Sequence, residues 1–332
     1  MDKELNFALE VVRKASIFTK QLQREKTALF QQKEDRSPVT IADYGAQILV
    51  HHHLQQVFPG DHLVAEENLG ELSQSDDRGI DLLAPLLAPL IEDYSFDRLM
   101  AQLTAVNRQA DRKRYWVLDP IDGTKGFLRG EQFAIALALI DDGMPVLGVL
   151  GCPNLNRLAL PDPNGTGILA YACQGQGAWI ASNKNIDQPV RLAVSECSDP
   201  SKARFVTSLD STGHSNQAAI EAMKTHLGNR EPDQQFDSQA KYVMVAAGQS
   251  DVFLRLPPKE NPDYREKIWD HAAGAVIIQE AGGQVSDIYG NAFDFSAGRS
   301  LANNHGVLVT NGVLHQAVLA YFQQVGRERS VL

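Results

Sequence analysis

Hydrophobic positions along the chain change their period several times, and each change predicts a different element. Val11, Ala15, Phe18 and Leu22 recur at helical spacing, so residues 4 to about 30 read as an amphipathic helix. The polar, proline-broken stretch Lys33-Glu34-Asp35-Arg36-Ser37-Pro38-Val39-Thr40 reads as a loop or a short strand pair. A second helix follows, capped by Thr40 or Asp43 and running through Ile48 and Leu54 to about Val57. Phe58-Pro59-Gly60-Asp61 is a turn, and His62 to Ala65 a short strand ending in Glu66-Glu67. Residues 70 to 114 form an acidic, Leu- and Ala-rich segment with helices predicted around 81–92 and 95–108. The apolar run Tyr115 to Leu118 then reads as a buried strand that stops at Asp119-Pro120, because proline cannot donate to a ladder. Strand-like runs at 133–140, 145–151, 156–160 and 168–172 follow, with a further pass through Ala178-Trp179. Turns at Asp142-Gly143 and Pro163-Asn164-Gly165 separate them, which predicts an antiparallel sheet.

The texture changes from about Arg191. Strands at 204–208 and 251–256 alternate with helices at 215–227 and 238–247, the signature of α/β layering. Two units are therefore expected: 1–190, an α+β domain with an antiparallel sheet, and 191–332, an α/β domain. The segment Ile268-Trp269-Asp270-His271-Ala272-Ala273-Gly274-Ala275-Val276 opens a helix that runs to the Gly282-Gly283 stop, with Asp270 in its first turn. A strand at 307–310 and a helix capped by Asn311 close the chain.

Composition mainly excludes. With 332 residues, 43% hydrophobic and 22% charged, this is an ordinary globular chain of two-domain size. A net charge of -10 argues against a general nucleic-acid surface. No apolar run is long enough to span a bilayer, and charged residues through Met1 to Gln23 do not suit a signal peptide. Cys152, Cys173 and Cys197 have neither zinc-site spacing nor a disulfide-framework count, so a reducing, cytoplasmic compartment is expected, with a regulatory thiol pair as the alternative. His51-His52-His53 cannot converge on one ion, since consecutive helix residues point about 100° apart; they read as solvated.

The chemistry concentrates in Asp119-Pro120-Ile121-Asp122-Gly123-Thr124. Two carboxylates at a strand end, followed by a permissive glycine and a good N-cap residue, can hold a hard cation beside an anion. The helix start favours phosphate through its unpaired N–H groups. A β-turn that merely contains two aspartates is the competing reading, and capping alone would account for Asp270.

Four elements in this order resemble the lithium-sensitive, magnesium-dependent phosphatase superfamily of inositol monophosphatase. They are Asp35 in Asp-Arg-Ser-Pro-Val-Thr-Ile-Ala-Asp, the Glu66-Glu67 pair, the Asp119–Thr124 motif, and Trp269-Asp270-His271-Ala272-Ala273-Gly274. Within it the chain is most similar to the 3'(2'),5'-bisphosphate nucleotidase branch. That likeness rests on Ser37–Tyr44, Lys125-Gly126-Phe127-Leu128-Arg129-Gly130, Asp237–Tyr242 and Asp251–Pro257. The resemblance implies a layered αβαβα sandwich of two lobes, and hydrolysis of the 3'-phosphate of adenosine 3',5'-bisphosphate, with 3'-phosphoadenylyl sulfate as a second substrate. An inositol phosphate is the alternative substrate, and a catalytically silent nucleotide-binding regulator is the contrasting class. The implied cofactor is Mg2+, two or three ions per site, with Li+ and Na+ inhibitory. Glu66, Asp119 and the Ile121 carbonyl would hold the first ion; Asp119, Asp122 and Asp270 the second. Asp35 and Thr124 would orient and deprotonate the attacking water. Gly123, Thr124, His214, Ser238, Lys241, Arg255 and Asp270 would contact the substrate, and Glu67 would support the ligands. The implied partner is a small nucleotide bisphosphate, with no nucleic acid or membrane, and a monomer is expected.

Overall fold

Alternation along single strands shows how the layers stack. In the strand that carries the acidic motif, Trp116 and Leu118 pack into one core and Tyr115 and Val117 into another. In a later strand Phe253 joins that second core while Val252 and Leu254 enter a third. A strand with apolar residues on both faces must be covered on both. Three cores in succession therefore require two sheets with helices outside and between them, the αβαβα order expected from the resemblance. The computed structural model describes residues 1–29, 38–67, 78–91, 113–209 and 215–330; the helix expected at 95–108 lies outside them.

The first outer layer is α1 (Asp2–Leu29) and α2 (Pro38–Val57). They cover a seven-stranded sheet in which strands β1 to β7 lie in chain order. These are β1 (Leu63–Ala65), β2 (Arg114–Asp122), β3 (Ala134–Asp141), β4 (Met144–Cys152), β5 (Ile168–Cys173), β6 (Ala178–Ser182) and β7 (Asn185–Arg191). Helix α3 (Arg78–Leu87) packs on α2, and α4 (Thr124–Arg129) follows β2. The first pair of strands is parallel and the remaining pairs are antiparallel. The second half supplies β8 (Phe205–Thr207), α5 (Gln217–His226), β9 (Gln234–Gln235), α6 (Ala240–Ala246) and β10 (Val252–Arg255). It ends with α7 (Ala272–Glu280), β11 (Gln284–Ser286), β12 (Val307–Thr310) and α8 (His315–Ser330). Its five strands run in the order β11-β12-β10-β8-β9. The middle layer, α6 and α7, joins the two sheets. Helix α7 lies directly on β4 because position 148 is glycine: a Cβ there would stand 2.5 Å from the Ala273 carbonyl oxygen.

Several local expectations need correction. Residues 156–160 are a turn rather than a strand. The Asn156 side chain accepts from the Leu158 and Leu160 N–H groups, and Ala159 takes a positive φ of 56°. Helix α2 begins at Pro38, which suits a first helical position, so neither Thr40 nor Asp43 caps it and Asp43 is buried within it. Asn311 does bond ahead to the Leu314 N–H, in the turn that leads into α8. His51 is buried rather than solvated, since α2 is covered on more than one side.

His51 and His315 give the fold an acid sensitivity. His315 bridges the Ser286 hydroxyl at 2.9 Å and the Thr310 hydroxyl at 3.0 Å. Burial holds both imidazoles down to about 4, helped at His51 by the neighbouring His52. The folded value lies below the unfolded one. The contribution is therefore complete above about pH 6.5 and is lost as the pH falls toward 4. Each histidine should cost on the order of 2 kcal/mol by pH 5. Calorimetry of His315→Gln against the parent should show a penalty at pH 7 that shrinks or reverses at pH 5; a pH-independent difference would contradict it.

Candidate functional site

The acidic motif is placed by strand register. In the parallel pair, Leu63 stands opposite Trp116 and Ala65 opposite Leu118, so the next residues out are Glu66 and Asp119. The Glu66 N–H donates to the Leu118 carbonyl at 3.2 Å, fixing that end. Both acids thus leave the carboxyl ends of adjacent parallel strands, where α/β sheets hold their ligands. Contrary to the sequence expectation, β2 does not stop at Asp119. It continues to Asp122 through a bulge: Asp119 pairs with Ala136 and Asp122 with Ala134, so three residues span the length of two. Pro120 is tolerated because a bulge frees the position from donating. The bulge takes Pro120 and Ile121 out of register, the setting from which a backbone carbonyl can turn to a cation. The Asp119 Oδ1 accepts from the Ile121 N–H at 3.1 Å, which orients the carboxylate.

The chain then reverses at Gly123, whose φ of 86° is left-handed. Gly123, not Thr124, is the N-cap; Thr124 is the first residue of α4 and is exposed. The same glycine permits a close approach, since a Cβ there would lie 2.8 Å from the Ser238 Cβ. Ser238 itself has a φ of 65°, a strained value for serine, and its hydroxyl accepts from the Ala240 N–H at 3.1 Å. The Gln239 N–H donates to the Asp122 Oδ2 at 2.6 Å, and Arg129 pairs with Asp237. The loop before α6 is in this way clamped onto the acidic motif from the second half of the chain. Asp270 arrives in a 3-10 turn, Ile268–Asp270, ahead of α7 rather than within that helix.

Electrostatics shows that the acids converge. Burial first, then the charges of Asp270 and Glu67, push Glu66 up to about 7. Burial, then Asp122, pushes Asp270 up to about 6. Asp119 is raised well above the carboxylate range by burial and by Glu66, Asp122, Asp270 and Asp43. Asp122 is raised by burial, against the opposing charge of Lys241 and the Gln239 N–H. Asp119 is buried, Asp122 and Asp270 are partly buried, and Glu66 stands open at the rim. Carboxylates that repel one another in this way are a ready site for a hard divalent cation, and an all-oxygen donor set suits Mg2+ rather than zinc. The residues present fit the implied metal. Glu67 is held by reciprocal hydrogen bonds between its backbone and the Gln47 amide, at 2.9 and 3.2 Å.

Two cations border this cluster. Lys241 is buried, not an ordinary surface lysine. Its ammonium donates to the Phe236 carbonyl at 3.3 Å and lies 5.3 Å from the Phe253 ring centroid. Burial pushes it down to about 8 against the pull of Asp122. Arg255, at the end of β10, lies 3.2 Å from Glu266 and 3.9 Å from Asp270. Burial opposes its charge, but these two acids more than offset it and raise its value. Glu266 also meets His271 at 3.3 Å, and the other imidazole nitrogen meets the Tyr242 hydroxyl at 2.7 Å.

Asp35 and His214 lie outside the described residues. Glu66, Asp119, Asp122 and Asp270 are brought together, with Lys241 and Arg255 beside them and Gly123 and Ser238 packed on each other. Sequence reasoning missed three contributors. Asp43 lies within the quoted Asp35 motif but was read as a cap; it is raised well above its ordinary value by burial and by Glu67 and Glu66. Glu266 has a local signal only in its proximity to Asp270. Arg299 has none: it donates to the Ala65 and Glu66 carbonyls at 2.7 and 3.3 Å and stacks 4.5 Å from the Trp269 ring, fastening the Glu66 strand end to the Asp270 turn.

Residues 1–327 match the model of the inositol monophosphatase family. The chain is 38% identical to the 3'(2'),5'-bisphosphate nucleotidase of Schizosaccharomyces pombe, with 96% of this chain and 95% of that protein covered. It is 39% identical to the 3'(2'),5'-bisphosphate nucleotidase of Oryza sativa, over 90% and 87%. Among solved structures it resembles inositol monophosphatase II of Staphylococcus aureus, with a TM-score of 0.65 at 20% identity and 98% and 95% coverage. The inositol monophosphatase of Anabaena gives 0.62 at 20% identity and 97% of each chain.

Proposed function

The chain belongs to the inositol monophosphatase family, and from that footing we propose that it is a 3'(2'),5'-bisphosphate nucleotidase. In this reading it converts adenosine 3',5'-bisphosphate to AMP and phosphate, and takes 3'-phosphoadenylyl sulfate as a second substrate. The observation that carries the substrate class is the pair of cations beside the acidic cluster, the buried Lys241 and the partly buried Arg255. A bisphosphate needs positive charge for the phosphate that is not cleaved as well as for the one that is.

Glu66, Asp119, the Ile121 carbonyl, Asp122 and Asp270 would hold two Mg2+ ions, with Asp119 shared between them and Glu66 serving a weaker third. Bound there, Mg2+ supplies a lowered water pKa and charge stabilisation at the attacking and leaving oxygens. Asp35 and Thr124 act as the pair that orients the attacking water and accepts its proton. Gly123 and the first turn of α4 face the transferred phosphate with backbone N–H groups. Lys241 and Arg255 bind the distal phosphate, Ser238 and His214 orient the nucleoside, and Arg299 keeps Glu66 at a fixed spacing from Asp270. The expected partner is this small molecule alone, acting on a monomer with lobes 1–190 and 191–332. Among the described residues no helix is long and apolar enough to cross a membrane, and we assign the protein to the cytoplasm.

The test is phosphate release from adenosine 3',5'-bisphosphate and inositol 1,4-bisphosphate in parallel, with Mg2+ and then with added Li+ or Na+. Nucleotide preference with inhibition by both monovalent ions is expected. Preference for the inositol phosphate would leave the acidic site as drawn and remove the role given to Lys241 and Arg255.

A further inference from the structure

The structure assigns Glu266 as a positioning residue that keeps the Arg255 guanidinium off Asp270. The inference rests on the reading in which Arg255 serves the substrate and Asp270 serves Mg2+. Arg255 Nη1 lies between two carboxylates, 3.2 Å from Glu266 and 3.9 Å from Asp270. Its backbone is fixed by the pairing of Arg255 with Val307, so only side-chain torsions can move the guanidinium between them. The nearer acid is the one that the two-ion reading leaves out of the metal set, although Glu266, Asp270 and His271 bring their ligand atoms within 4.8 Å of one another.

Glu266 is held firmly enough for the task. It is buried, its backbone carbonyl accepts from the Leu301 N–H at 2.8 Å, and its carboxylate meets His271 at 3.3 Å. His271 is tied in turn to the Tyr242 hydroxyl at 2.7 Å. Tyr242, His271 and Glu266 thus form a buried chain that ends on the guanidinium. An unopposed guanidinium closes on a neighbouring carboxylate in a bidentate pair. Without Glu266 the only other carboxylate recorded within 4 Å of Arg255, among the described residues, is Asp270. Closing on it would occupy a metal-ligand oxygen, place a positive charge beside the cation site and turn the fork away from substrate. One carboxylate therefore protects both the Mg2+ ligand and the phosphate clamp.

The test is calorimetric titration of Mg2+ into the full chain without nucleotide. Four proteins are compared: parent, Glu266→Gln, Arg255→Met, and the double variant. Glu266→Gln should weaken Mg2+ binding by about tenfold, the range for residues that support metal ligands. Arg255→Met should bind no more weakly than the parent. The double variant should recover to within about threefold of Arg255→Met, because the competing guanidinium is gone. A double variant as weak as Glu266→Gln would overturn the proposal, since the lost acid itself would then be responsible. Wild-type affinity in Glu266→Gln would overturn it equally. Should the amide not fold, Glu266→Asp, which pulls the acid back by one methylene, carries the same comparison in smaller steps. These isotherms contain no substrate, so failure of the nucleotide reading appears separately, in the KM for adenosine 3',5'-bisphosphate.

Discussion

Asp119→Asn is expected to lower kcat for phosphate release by at least about a thousandfold, roughly 4 kcal/mol of transition-state stabilisation. The size follows from position. Asp119 is the most deeply placed member of the cluster, 2% exposed, and its pKa is raised by that burial first and then by Glu66, Asp122, Asp270 and Asp43. It is the one acid assigned to both ions. The amide keeps the volume and can keep the bond to the Ile121 N–H, so the loss would come from charge. Stability should move the opposite way. A carboxyl raised above its ordinary value costs folding free energy at every pH above that ordinary value. Without Mg2+, Asp119→Asn should therefore melt a few degrees higher than the parent at pH 7, at about 2–4 °C per kcal/mol regained. Added Mg2+ should stabilise the parent by mass action and the variant far less. Calorimetry with and without Mg2+, beside a phosphate-release assay, reads both effects. Turnover within tenfold of the parent would sink the metal assignment.

The same residue shows why the site was more legible than its surroundings. Asp119 and Asp122 could be named because proline, glycine and acid spacing is local chemistry written in the sequence, whereas Glu66 and Asp270 entered only through the family resemblance. That β2 continues to Asp122 through a bulge could not be read, because a bulge depends on which partner strand lies opposite, here Ala134 and Ala136. The N-cap assignment failed for a related reason. Thr124 offers a hydroxyl for capping, but the reversal out of β2 needs a left-handed residue, and only Gly123 supplies it cheaply. Apolar runs predicted β3, β4 and β5 to within one or two residues. The run 156–160 misled because Asn156 bonds its own backbone and removes the segment from any ladder. The part Asp43 plays, most of the case for Glu266 and all of that for Arg299 were out of reach for a single cause. Each matters through a residue brought close by folding, and for Arg299 that residue is 233 positions away at Glu66. The α/β layering of the second half, by contrast, was legible from strands that alternate with helices, while the full αβαβα order came with the family resemblance.

Arg255→Ala should separate the substrates. A hydrogen-bonded ion pair with phosphate contributes about 1.5–3 kcal/mol, so kcat/KM for adenosine 3',5'-bisphosphate should fall roughly 10- to 150-fold. Most of that loss should appear in KM, because the uncleaved phosphate is bound alike in the ground and transition states. Adenosine 3'-monophosphate carries the same scissile group and lacks the 5'-phosphate, so its kcat/KM should change less than about threefold. Inositol 1,4-bisphosphate should likewise suffer less than the nucleotide bisphosphate. Saturating Mg2+ is needed throughout, since Arg255 also borders Asp270 at 3.9 Å. Lys241→Met should reproduce the pattern. Its ammonium is buried and drawn toward Asp122, and methionine retains the stem that packs near Phe253. The two positions act on one phosphate, so their effects should combine less than additively. Equal losses on the mono- and bisphosphate would mean that Arg255 and Lys241 support the acidic cluster rather than read the substrate. Substrate choice would then have to come from the residues around Ser238 instead.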